Sequence, residues 1–197
     1  ARSRGLGDVY KRQAKGSFLD SKRVIVTAAP HQSGKDEYLM ILMILALDIE
    51  VCYLSAKWTM RRIPIPFIKP KDIDNQGIPW PLGWLQEIVF RKFGAIPVDR
   101  KGNSGQYDSV VQELLKRDNF LLIITPEGRF DATRFRSSFL YLAKELEAEV
   151  MPVQIDYEHD TLQFLNSLNL DGSEEEVIQR LRFCFDGVKG RKSRFKA

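Results

Sequence analysis

From Val24 onward, short β-branched runs alternate with longer stretches of helical periodicity, and this alternation limits the fold more than any other feature of the chain. Strands and helices in that order build an α/β sheet with crossover helices. The runs "RVIVTA", "IEVCYLS", "AIPV", "FLLIIT" and "VMPVQI" read as strands. Helices are expected over about 36–47, 82–93, 104–117 and 137–148, and a last one near 173–186 opens at the capping-box-like "SEEE". Pro152, inside the last strand, argues for an edge position or a bulge, because proline cannot donate to a ladder. The segment "RRIPIPFIKPKDIDNQGIPWP" holds five prolines and both signs of charge, so it reads as a long irregular connection of a kind that often carries function.

A chain of 197 residues suffices for one domain that buries roughly 70% of the surface its unfolded form exposes. With 44% hydrophobic and 28% charged residues, its composition is neither disordered nor disulfide-stapled. The longest apolar run, "YLMILMILAL", is too short to span a bilayer and is followed by Asp48 and Glu50, so it reads as a core helix. The opening "ARSRGLGDVYKRQ" lacks the apolar centre of a signal peptide. Residues 1–16 are therefore expected to be a non-native or disordered extension, 17–188 the domain, and 189–197 a basic tail that frays.

Cys52 lies in an apolar run and Cys184 on an amphipathic helix, with no CxxC spacing, so both read as buried thiols of a reducing, cytoplasmic compartment and not as zinc ligands. The net charge of +4 and a pI near 9.0 favour an anionic partner. Nucleic acid is disfavoured, since the basic residues are spread and mixed with 26 acidic ones. Only His31 and His159 supply an imidazole, and His159 sits in the acidic, exposed-looking stretch "DYEHDT".

His31 stands where an apolar strand ends, five positions before Asp36. On a continuous helix that step turns the two side chains apart, but Pro30 and Ser33-Gly34 supply a turn across which they can meet. Asp36 then orients a neutral imidazole that accepts a proton from a substrate hydroxyl. Two other readings fit the same residues. Ser33 to Asp36 matches a capping box, and "SGK" between strand and helix follows the order of a P-loop, although Ala29 and Asp36 replace its first Gly and its Ser/Thr.

Three later strand ends add polar groups where an open α/β sheet places ligands. "FGAIPVDRKG" brings Asp99 and Arg100, the latter able to hold a phosphate bidentately. "LLIITPEGRF" ends in a turn where Gly128 permits close backbone approach and Glu127 and Arg129 offer an acceptor and a cation.

Together "HQSGKD", "GAIPVDR", "TPEGR" and "VMPVQI", in this order, resemble the blocks of the phospholipid/glycerol acyltransferase family, and "APHQSGKD" with "PLGWL" resembles its compact 1-acylglycerol-3-phosphate acyltransferase-like branch. The resemblance covers about residues 22–186. It implies a single domain with a mixed sheet flanked by helices, and an O-acyltransferase of phospholipid biosynthesis. In such an enzyme His31 is the general base and Asp36 orients it, while Arg100, Glu127, Gly128 and Arg129 bind a lysophosphatidate or glycerophosphate-like acceptor. The donor is an acyl thioester, acyl-CoA or acyl-carrier protein, and no further cofactor or metal is implied. Peripheral contact with the cytoplasmic membrane face is expected through the basic and apolar "MRRIPIPFIKPK". Two alternatives accompany this reading: acyl transfer to a different lipid acceptor, and a non-catalytic lipid- or phosphate-binding module.

Overall fold

The computed structural model describes residues 23–31, 36, 51–63, 77–99, 106–128 and 134–190. Along the chain these form β1 (Arg23–Ala29), β2 (Val51–Ala56), a 3₁₀ turn (Lys57–Met60), β3 (Arg62–Ile63), β4 (Ile78–Pro79), α1 (Gly83–Lys92), β5 (Ala95–Val98), α2 (Gln106–Leu115), β6 (Phe120–Ile124), α3 (Ser138–Leu146), β7 (Glu149–Asp156), β8 (Thr161–Phe164) and α4 (Glu174–Phe183). The fold is α/β, with one six-stranded sheet in the order β5-β2-β6-β1-β7-β8. Its strands run parallel except at the β7–β8 pair, which is antiparallel. β3 and β4 form a separate antiparallel pair.

The alternating pleat sorts each strand onto two faces. Ile25, Cys52, Ile96, Leu122, Ile124 and Val150 face one side, where they pack against Val110 and Leu114 of α2, Phe139, Leu142 and Leu146 of α3, and Val177 and Leu181 of α4. Val24, Val26, Ala28, Leu121, Ile123, Met151 and Val153 form the opposite layer with Tyr53 and Tyr157. Strands buried on both faces read as continuous apolar runs, which is why β1 and β6 stand out in the sequence. The capping box expected at "SEEE" is formed: Glu176 N–H donates to Ser173 Oγ and Ser173 N–H to Glu176 Oε2.

The structure departs from the sequence reading at four places. Pro152 is neither on an edge strand nor in a bulge, because β8 covers β7. Its carbonyl accepts from Leu165 N–H, on the β8 side and one residue past the last β8 ladder pair. A residue's N–H and C=O point to the same side of a strand, so the donor missing at Pro152 also faces that side and the β1 ladder stays intact. The proline-rich connection is not wholly irregular, since Arg62–Ile63 pairs with Ile78–Pro79. Cys184 is half-buried and caps the end of α4, whereas Cys52 is fully buried. β8 was not expected, because four alternately exposed residues make a weak strand signal. Gly190 is buried, and the exposed Lys189 accepts at its carbonyl from Tyr157 N–H. Of the helix expected over 36–47, Asp36 is helical and the rest lies outside the described residues.

Candidate active site

Parallel β1 and β6 are neighbours at the centre of the sheet, with Thr27 aligned to Ile124, so the chain leaves both strands at the same carboxyl edge. His31 follows β1 by two residues, and Glu127 follows β6 by three. His31 is 7% exposed, Glu127 8% and Asp36 1%, so three ionisable side chains are withdrawn from solvent at one point. Unpaired burial of that kind is costly, and such clusters are retained where their groups interact.

His31 Nδ1 lies 3.4 Å from Asp36 Oδ2. The intervening residues 32–35, read from sequence as the turn, lie outside the described residues. The backbone N–H of His31 donates to Glu127 Oε2 at 2.6 Å, which fixes the end of β1 to the turn after β6. Burial pushes the Glu127 carboxyl up to about 7; the His31 N–H bond opposes the shift, and the negative charge of Asp36 adds to it.

The turn holding Glu127 closes locally. Gly128 N–H donates to the Thr125 carbonyl and Arg136 N–H to the Pro126 carbonyl. Gly128 has φ +67°, a conformation that suits glycine, and a Cβ there would stand 3.2 Å from Arg136 Nε. The exposed Arg136 therefore supplies a cation beside the turn, a position that the sequence does not reveal. Arg100 and Arg129, the two cations read from sequence, lie outside the described residues.

A fourth side chain reaches the same point. Tyr157, directly after β7, donates its hydroxyl to Asp36 Oδ1 at 2.5 Å. One carboxylate oxygen of Asp36 thus faces His31 and the other accepts from a phenol. Tyr157 was missed in the sequence because its stretch "DYEHDT" reads as an exposed acidic turn. That description holds for the residues after it, since Glu158, His159 and Asp160 are exposed; half-buried Asp156 accepts from the backbone N–H groups of Glu158 and His159 and lies 2.7 Å from His159 Nδ1. His159 is exposed, and its bond to Asp156 raises its pKa and lowers that of Asp156.

This arrangement contains an imidazole with one ring nitrogen turned to a buried carboxylate, a carboxyl that holds its proton near neutrality, and a glycine turn flanked by a cation. Imidazole so held can take a proton from a hydroxyl. Among the described residues, no group of three His, Cys, Asp or Glu side chains is placed to hold a metal ion.

Comparison with known proteins gives one finding. Residues 81–156 match the Acyltransferase family model, a span that runs from the Pro81-Leu82-Gly83-Trp84 stretch through β7 and includes Glu127 and Gly128 but not His31, Asp36 or Tyr157. The match supports acyl transfer as the general chemistry. No curated protein and no solved structure matches the chain.

Proposed function

We propose that the chain transfers a fatty acyl group from an acyl thioester, acyl-CoA or acyl-carrier protein, to a hydroxyl of a lysophosphatidate or glycerophosphate-like acceptor. The observation that carries this reading is the 3.4 Å approach of His31 Nδ1 to the buried Asp36 carboxylate, at the edge of a sheet whose chain matches an acyltransferase model. With Nδ1 turned to Asp36, Nε2 is the nitrogen left to accept the proton. The acceptor hydroxyl gives its proton to Nε2 while its oxygen bonds to the thioester carbonyl carbon. The tetrahedral intermediate collapses, the C–S bond breaks, and the departing thiolate takes the proton back from the imidazolium. Asp36 stabilises that imidazolium, and Tyr157 holds Asp36 in place.

The acceptor phosphate falls to the Gly128 turn, with Arg100 and Arg129 as its cations. A carboxylate beside a phosphate would repel it, whereas Glu127 carrying its proton donates a hydrogen bond instead, and burial, by raising its pKa to about 7, favours the protonated form.

The reading is tested by incubating the purified chain with palmitoyl-CoA and lysophosphatidate and identifying the acylated product by mass spectrometry. Phosphatidate as product supports it. Thiol release with other lysolipids but not with lysophosphatidate would move the acceptor to a different lipid. Binding of acceptors without any thiol release would make the chain a binding module.

A further inference from the structure

Helix α4 is fixed to one face of the sheet by Val177 and Leu181, and the residues that follow it lie along the carboxyl end of β7. Gln154 Nε2, on β7, donates to the Cys184 carbonyl at 2.6 Å. Phe185 packs edge-on against Phe135, with ring centroids 5.7 Å apart. Gly187, at φ +75°, turns the segment, and the Lys189 carbonyl then accepts from Tyr157 N–H at 2.9 Å. Lys189 Nζ adds a contact to Glu158 Oε1 at 2.8 Å, and Gly190 is buried. One short segment is thereby tied to β7 before its end and again just past it.

These ties stand where the sheet stops holding β7. The ladder with β1 ends at the pair Ala29–Gln154 and the ladder with β8 at Asp156–Thr161, and Glu158, His159 and Asp160 beyond them are exposed. Tyr157 therefore follows the last ladder pair and opens an exposed turn, a setting in which backbone position is weakly determined. Its hydroxyl nevertheless meets Asp36 Oδ1, and a hydrogen bond loses strength steeply as its partners are misaligned. The Lys189 carbonyl gives the Tyr157 backbone a fixed point that neither ladder supplies.

We infer that residues 184–190 form a strap that positions Tyr157 and, through Asp36, the ring of His31, with Gln154 and Lys189 as positioning residues. Along β7 the pleat sends Gln154 to the face that carries α4 and Tyr157 to the opposite layer, so the strap starts on the helical face and ends where Tyr157 turns to Asp36. Misplacing a reacting group by about 1 Å can cost on the order of a hundredfold in rate, so a support of this kind matters to chemistry more than to stability. The consequence for turnover rests on the acyl-transfer reading, whereas the placement of the His31 ring does not.

The test reads the His31 ring directly, by NMR of the full chain carrying ring-labelled histidine. The chain has two histidines, and His159→Gln tells their signals apart. Gln154→Ala removes the tie to Cys184, and Lys189→Glu sets a carboxylate against Glu158 at an exposed position, which keeps the test open if the Gln154 variant does not fold. Each is expected to displace the His31 ring signal in the same sense as Tyr157→Phe, and to add little or no displacement once Tyr157 is already Phe, because the strap acts through that hydroxyl. In the thiol-release assay both variants should lower kcat about twofold to tenfold with KM for the acceptor unchanged. A His31 signal that stays in place in the folded variants, or one displaced equally with and without the Tyr157 hydroxyl, overturns the inference. A parent chain without turnover refutes the acyl-transfer reading instead, and the ring signal, which needs no turnover, still decides the strap.

Discussion

The backbone N–H of His31 donates to Glu127 Oε2 at 2.6 Å, joining residues 96 positions apart in the chain through the ends of two neighbouring parallel strands. The bond makes the histidine's position depend on a carboxyl group that is itself buried. Because burial raises the Glu127 pKa from 4.5 to about 7, folding takes up a proton between those values. The stability this group contributes is therefore full below pH 4.5 and is lost as pH rises toward 7, by at most about 3 kcal/mol. Glu127→Gln keeps the shape and removes the ionisation. Urea midpoints measured from about pH 4.5 to 8 should show the variant without this decline; parallel pH profiles for parent and variant would contradict a buried, titrating Glu127.

Tyr157 acts on Asp36 through a single hydroxyl, so Tyr157→Phe removes the hydrogen bond and keeps the ring. Hydrogen bonds to charged groups contribute about 1.5–3 kcal/mol, which corresponds to a loss of roughly tenfold to a hundredfold if all of it is realised in the transition state. The expected result is a fall in kcat with KM for the acceptor unchanged, and no further fall when the change is made in His31→Ala. Additive losses in the double variant would assign Tyr157 to packing alone.

Gly94 joins α1 to β5 and holds β2 in register, its carbonyl accepting from Tyr53 N–H at 3.0 Å. It has φ +83°, and a Cβ there would run into the Val51 carbonyl. Left-handed backbone costs an alanine roughly 1–2 kcal/mol before any clash is counted. Gly94→Ala should accordingly lower stability by about 3 kcal/mol or more in urea unfolding, and a shift below about 1 kcal/mol would mean that the turn relaxes freely.

Much of the sheet was legible because local chemistry decides it. The β-branched runs "RVIVTA" and "FLLIIT" are buried on both faces and need no partner to be recognised, and Ser173 with Glu176 announces α4 three residues at a time. His31, Asp99 and Glu127 likewise sit just past strand ends, and the family match over residues 81–156 covers the last two. What the sequence concealed is set by distance along the chain. Tyr157 meets Asp36 across 121 positions, and nothing in "DYEHDT" distinguishes it from the exposed residues that follow. Pro152 looked like an edge because ladder geometry beyond its own strand decides which side its missing donor faces. In α1 the helical period was readable, but which face packs inward was not, since Gln86 and Glu87 make the contacts that apolar residues make elsewhere.

The central claim is that His31 removes the proton from the acceptor hydroxyl, and it is tested most directly by thiol release from palmitoyl-CoA in the presence of lysophosphatidate, with the parent chain and His31→Ala compared at equal acceptor occupancy. General-base catalysis contributes roughly 10²–10⁴-fold. The account predicts a loss of at least about a hundredfold in His31→Ala with acceptor affinity kept, whereas a variant that releases thiol at the parent rate would contradict it.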